Sequence, residues 1–210
     1  MFAASLIAAV IFLSDGFGVS GIRIVAKLVP VTALLIWLAP PKGRYGALIF
    51  AGLSLSLIGD AFLALPGDRL LQGLIAFLLA HLCYIAAFLG ESRRLEILRL
   101  VPFALWVGAV YLFLVPNLGP MAVPVGVYSA VITLMMWRAA ALVGMPVERW
   151  QVAALFGATL FGLSDSALAL MRFHGNFPYG AAFLILAYWI GQFGIALSHQ
   201  FGLAKSVPPV

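Results

Sequence analysis

The stretch SLSLIGDAFLAL, Ser54–Leu65, is an apolar run with one carboxylate, Asp60, deep inside it. A second stretch, LFGLSDSALAL, Leu160–Leu170, repeats the pattern around Asp165, half a chain further on. Both contain Asp-x-x-Leu-Ala-Leu, and each aspartate follows a small residue, Gly59 or Ser164. If hydrocarbon surrounds these runs, a carboxylate inside them is costly and marks a functional site. The identity of the solvent therefore decides both the fold and the meaning of the aspartates.

Composition identifies that solvent. The chain of 210 residues is 64% hydrophobic and only 9% charged, against about 25% charged in soluble domains. A soluble domain of this size still exposes much of its surface to water, and the polar residues here are too few to cover it. Apolar runs of roughly 20 residues, the length of a bilayer span, tile nearly the whole sequence. The fold class read from this is all-α, a polytopic transmembrane helical bundle. One transmembrane domain covers residues 1–205, with a loose tail at 206–210. The sixteen Phe suit a lipid-facing surface, and the 21 Gly suit close helix packing. The net charge of +5 is spread too thinly for nucleic-acid binding. Cys83 is the only cysteine, so neither an intramolecular disulfide nor a cysteine metal motif is available.

Eight helices are expected, at 1–14, 22–39, 45–65, 70–90, 97–115, 120–143, 148–171 and 178–203. The first is short; it lacks a basic leader and a small-residue cleavage site and reads as a retained helix. The breaks carry turn chemistry, as at Pro40-Pro41, Pro66-Gly67, Gly119-Pro120 and Gly144-Met145-Pro146. Lys42, Arg44, Arg93, Arg94, Arg99, Arg138, Arg149 and Lys205 flank the breaks after even-numbered helices or the C-terminus, whereas only Arg23, Arg69 and Arg172 flank the others. This bias puts both termini in the cytoplasm, in the inner membrane if the source is bacterial. FLLA before His81 also resembles FLIL before Ala187. The third and fourth helices thus look like the seventh and eighth, which reads as a 4+4 parallel repeat.

Position converts to depth at about 1.5 Å per residue. Lys27, Asp60, Asp165, Tyr128 and Tyr188 then fall in the outer half of the bundle, with His81, Tyr84 and Gln192 a turn or more deeper. Tyr188 and Gln192 share a helical face, as do His81 and Tyr84. These groups are expected to form one polar pocket, open outward or sideways. Simpler roles exist for some of them: Lys27 neutralising a carboxylate or snorkelling, His81 as a structural histidine, the tyrosines as packing aromatics. Asp15 and Asp68 lie in turns and read as solvated. His174 and His199 are too far from His81 in depth to share one ion, which leaves only His81 with Asp60 and Asp165 as a zinc set. No Gly-x-Ser-x-Gly is present, and Ser164 points to a different face from Asp165.

At these residues the chain resembles the YhhN-type family of eight-helix membrane proteins, which includes the lysoplasmalogenases. The matching pieces are Lys27, Gly59-Asp60, Phe77 through His81 to Tyr84, Tyr128 with Met135-Met136, Gly157 through Ser164-Asp165, and Tyr188 with Gln192. One departure is visible: the family's early lysine is often followed directly by proline, whereas here it is followed by Leu28-Val29-Pro30. The resemblance implies an ether hydrolase that cleaves the vinyl ether bond of a lysoplasmalogen to a fatty aldehyde and a glycerophospho-alcohol. The substrate partner would be a membrane lysophospholipid, and no metal or other cofactor is called for. The residues suit that chemistry independently. Protonation of the vinyl ether carbon gives an oxocarbenium ion that water captures, and two carboxylates can divide this labour as they do in glycosidases. Asp60 and Asp165 are the expected catalytic pair, with the assignment between them open. Lys27, His81, Tyr84, Tyr128, Tyr188 and Gln192 are the expected binding or orienting groups. Two rival readings remain: a transporter or proton-relay protein, and a zinc-dependent intramembrane lipid hydrolase.

Overall fold

The computed structural model describes residues 20–205. Its elements are α1 (Ser20–Leu38), α2 (Gly43–Ala64), α3 (Leu70–Glu91), a 3-10 turn (Ile97–Leu100), α4 (Val101–Leu118), a second 3-10 turn (Gly119–Met121), α5 (Ala122–Leu142), α6 (Arg149–Phe173) and α7 (Gly180–Lys205). They correspond one for one to the second through eighth expected helices, with small shifts at the ends. The expected helix at 1–14 lies outside the described residues, so a count of eight is not supported.

Five stretches are long and apolar enough to cross a bilayer: Gly43–Ala64, Leu70–Glu91, Ile97–Leu142, Arg149–Phe173 and Gly180–Gly202. Helix is the expected choice there, because each backbone N–H and C=O can be satisfied within its own segment. The long third stretch is the α4–α5 hairpin, folded at Gly119, whose φ of 49° suits a residue without Cβ. Tyr111 donates across the hairpin to the Ala122 carbonyl at 3.1 Å. The chain is a multi-pass membrane protein.

Helices α1, α2, α3, α5, α6 and α7 pack in a closed ring, with α7 returning to α1 and α2, and α4 lies outside against α5 and α6. Leu53, Phe88, Met135, Met136 and Phe161 are wholly buried inside it. Two arginines tie down the end where α3, α5 and α7 finish. Arg99 donates to the carbonyls of Ala140 (2.7 Å) and Val143 (2.6 Å), at the unsatisfied end of α5. Arg138 donates to the carbonyls of Arg94 (2.7 Å) and Ser92, fixing the α3–α4 connection.

The 4+4 repeat is not supported either, because its two matching helix pairs pack by different means. Between α2 and α3 the rings of Tyr84 and Phe77 occupy the space that Gly52 and Gly59 leave. Between α6 and α7 backbone meets backbone at Gly157, Gly191 and Gly194, the close approach that small residues permit in membranes. A Cβ on Gly157 would stand 2.5 Å from the Ile195 nitrogen. Gly157→Ala should therefore lower stability in detergent by about 1–3 kcal/mol through overpacking. Gly90→Ala, with nothing within 4 Å of the new carbon, should be neutral or slightly stabilising. Equal thermal midpoints for the two variants would remove the backbone contact from the account.

Candidate active site

Asp60 lies about one turn from the C-terminal end of α2 and is 1% exposed. A carboxylate at such a place needs partners from other helices. Lys27 of α1 supplies its ammonium at 3.1 Å from Oδ1. Tyr188 of α7 donates its hydroxyl to Oδ2 at 2.5 Å. One turn further along α7, Gln192 accepts at Oε1 from the Tyr84 hydroxyl of α3, 2.8 Å. Gln192 Nε2 and Ser56 Oγ lie beside the Tyr188 and Tyr84 hydroxyls without a bond of good geometry. Tyr84 and Gln192 thus stand behind the Asp60 ion pair.

Asp165 sits about two turns from the C-terminal end of α6, and its side chain is 13% exposed. Tyr128 of α5 donates to its Oδ2 at 2.5 Å. His81 of α3 places Nε2 at 3.9 Å from the same oxygen, beyond hydrogen-bond range. His81 is fully buried, and neither ring nitrogen has a hydrogen-bond partner among the described residues.

A row of edge-to-face rings joins the two clusters. Tyr128 meets His81 at 5.2 Å between centroids, His81 meets Phe161 at 4.7 Å, and Phe161 meets Tyr188 at 5.3 Å. Phe77 stands 6.0 Å from both Phe161 and Tyr188. The carboxylates close the two ends of this row, one held by Tyr128 and the other by Tyr188. The eight expected residues are therefore neighbours, arranged as two clusters with an apolar middle rather than as one uniformly polar pocket.

The clusters differ in access. A cleft, part of it open to the exterior, runs between α3, α4, α5 and α6. Its walls are mostly apolar, with Leu74, Phe77, Val107 and Ile132 among them, and Asp165 and Tyr128 line it together. Asp60 and Lys27 do not line it.

The sequence profile of the YhhN family matches residues 22–199, a range that contains all eight of these residues. The chain belongs to the YhhN family. It is 39% identical over 155 residues to the protein named lysoplasmalogenase TMEM86A of Bos taurus, covering 71% of this chain and 64% of the relative. To lysoplasmalogenase TMEM86B of Homo sapiens it is 34% identical over 176 residues, covering 82% of this chain and 73% of the relative. To the uncharacterized membrane protein YhhN of Escherichia coli O157:H7 it is 30% identical over 175 residues, covering 80% and 84%. The chain thus spans less than two thirds of the length of the TMEM86A relative. No solved structure matches it.

Two further charged residues, which the sequence reading assigns to loops, stand at or beside the cleft. Arg172 lines the cleft near the C-terminal end of α6, with its Nη2 at 2.9 Å from Asp68 Oδ2 in the α2–α3 connection. The available signal is helical spacing, since Asp165, Ala169 and Arg172 stand at i, i+4 and i+7 and all line the cleft. The zinc set of His81, Asp60 and Asp165 does not come together. Among the described residues no three His, Cys, Asp or Glu side chains converge on one point, and the Asp60 oxygens already face Lys27 and Tyr188. His199 lies near the other end of the bundle, its ring over Gly46 and 6.2 Å from that of Tyr45. His174 meets Phe113 edge to face, 4.8 Å between ring centroids.

Proposed function

We propose that the chain is a membrane lysoplasmalogenase that hydrolyses the vinyl ether bond by acid catalysis between two carboxyl groups. The observation that carries this reading is the position of Asp165 inside a mostly apolar cleft, with the ion-paired Asp60 across the row of rings. A mostly apolar cleft suits the hydrocarbon tail of an amphiphile, and named relatives in the family are lysoplasmalogenases. Protonated Asp165 gives its proton to the vinyl carbon beta to the ether oxygen, and the carbon–carbon double bond becomes the oxocarbenium ion. The Asp165 carboxylate left behind and the Asp60 carboxylate stabilise that cation electrostatically. Water then adds to the carbon bonded to oxygen and returns a proton to Asp165. The hemiacetal collapses to a fatty aldehyde and the glycerol hydroxyl, so one water is consumed and no oxidant is needed. Tyr128 orients the Asp165 carboxyl through its hydroxyl, and Tyr188 does the same for Asp60.

The site occupies the end of the bundle opposite Arg99 and Arg138. With basic residues inside, it faces the outer half of the membrane and the C-terminal end of α7 is cytoplasmic. A path across the bilayer finds less support. Below Tyr84 and Gln192 the interior holds the buried Leu53, Phe88 and Ile195 before the next polar group, Tyr45 with Ser198.

Mass spectrometry after incubation with vinyl-ether, alkyl-ether and ester lysolipids tests the reading. Aldehyde is expected from the vinyl ether alone. An alkyl ether has no double bond to protonate, and an ester asks for a nucleophile and oxyanion donors. Fatty acid released from the ester at a comparable rate would overturn it.

A further inference from the structure

We propose that Arg172 binds the head-group phosphate of the lysolipid at the mouth of the cleft, and that Asp68 holds the guanidinium there until phosphate displaces it. The proposal rests on the lipid-hydrolase reading above and adds to it the element that recognises the head group.

Position comes first. Arg172 and Asp165 line the same cleft from one stripe of α6, about 10 Å apart along the axis at roughly 1.5 Å per residue. From the vinyl carbons through glycerol to phosphorus, a lysoplasmalogen runs through a handful of bonds of about 1.5 Å each, a reach of the same order. With the vinyl ether at Asp165, the phosphate arrives at the level of Arg172, and the tail continues over Val107 and Ile132.

Charge is the second argument. Among the residues lining the cleft, only Asp165 and Arg172 carry formal charge. Lys27 lies outside the lining and is committed to Asp60. Arg69 also lies outside it and turns to the Pro66 carbonyl at 3.3 Å. A guanidinium offers phosphate a planar, two-pronged set of donors that an ammonium lacks.

The third argument is how loosely the arginine is held. Its partner is a single carboxylate, and the side chains are 48% and 73% exposed. Exposed pairs of this kind contribute little, so a phosphate that meets both prongs at the cleft mouth can replace Asp68. Asp68 then acts as a competitor. It aims the guanidinium in the empty site and opposes the incoming phosphate.

The two residues should therefore have effects of opposite sign. The probes are 1-O-alkyl lysophosphatidylethanolamine and 1-O-alkylglycerol, neither of which has a vinyl ether to cleave. Binding is measured on the full chain in dodecyl maltoside, which carries no phosphate. Arg172→Gln should raise Kd for the phosphate-bearing probe by roughly tenfold or more, the loss of a charge-assisted hydrogen bond, and leave alkylglycerol binding unchanged. Arg172→Lys should recover part of the loss. Asp68→Asn should tighten the phosphate-bearing probe alone. On lysoplasmalogen, Arg172→Gln should raise KM with kcat nearly unchanged, because the arginine does not touch the reacting bond.

Equal weakening of both probes by Arg172→Gln would sink the proposal. So would weakening by Asp68→Asn, which would make the pair a structural tie between α6 and the α2–α3 connection. Competition by inorganic phosphate as strong as by the lysolipid would reduce the site to a general anion site and overturn its tie to lipid. Should the wild-type chain release no aldehyde yet bind the probes as described, the hydrolase reading fails and the phosphate site stands. Should it release aldehyde while Arg172→Gln binds both probes normally, only the phosphate site fails.

Discussion

The Asp165→Asn protein is expected to remain folded in detergent and to lose on the order of 10²–10⁴-fold in kcat on lysoplasmalogen, the span that a positioned acid contributes. The amide has the same shape as the acid, and its oxygen can still accept from Tyr128, so the α5–α6 contact survives. It cannot supply a proton to carbon, and it leaves only the Asp60 carboxylate across the row of rings to stabilise the oxocarbenium ion. A second signature separates lost chemistry from lost binding. Kd for the alkyl-ether lysolipid should change little, because the tail contacts and the cleft mouth are untouched. In heavy water the wild-type product should carry deuterium on the carbon next to the aldehyde, where the acid delivers it. Wild-type turnover by a folded Asp165→Asn protein would place the acid elsewhere.

Much of the fold is legible in the sequence because lipid leaves the backbone few choices. Each apolar run had to be a helix of bilayer length, and Pro and Gly mark where those runs stop. Depth along each helix then brings Lys27, Asp60, His81, Tyr128, Asp165 and Tyr188 to neighbouring levels. What sequence does not carry is the rotation of each helix about its axis. Asp60 and Asp165 sit in nearly identical local motifs, yet one faces an ammonium from α1 and the other faces an open cleft. That difference is set by neighbours distant in sequence, so the two aspartates look interchangeable on paper. The repeat misleads for the same reason: Asp-x-x-Leu-Ala-Leu fixes local character, whereas Gly157 against Ile195 and Gly52 against Tyr84 fix how each pair packs. Arg172 is hidden because an arginine in the last turn of a spanning helix reads as an interface charge. Its place on the Asp165 stripe matters only once that stripe is known to line a cleft.

Lys27→Met is expected to destabilise the protein by about 3–5 kcal/mol, the cost of breaking a buried ion pair by removing one partner. Asp60 is 1% exposed and would keep only the Tyr188 hydroxyl. Its carboxylate would then have to protonate or draw water into the α1–α2–α7 junction. Adding Asp60→Leu removes the stranded charge and should restore much of the lost stability, since replacing a whole buried pair with apolar groups is often neutral or favourable. The Tyr188 hydroxyl then lacks its acceptor, at about 1–3 kcal/mol, so Tyr188→Phe on top should recover the remainder. Thermal midpoints in one detergent would give the order: wild type, then the triple and double variants, then Lys27→Met lowest. Activity should not follow that order. If the Asp60 charge stabilises the oxocarbenium ion, the stable triple variant stays impaired, and stability and turnover separate. A triple variant as active as wild type would make Lys27, Asp60 and Tyr188 a structural tie alone and leave the chemistry to Asp165. A Lys27→Met protein as stable as wild type would show that the ion pair does not hold α1 against α2.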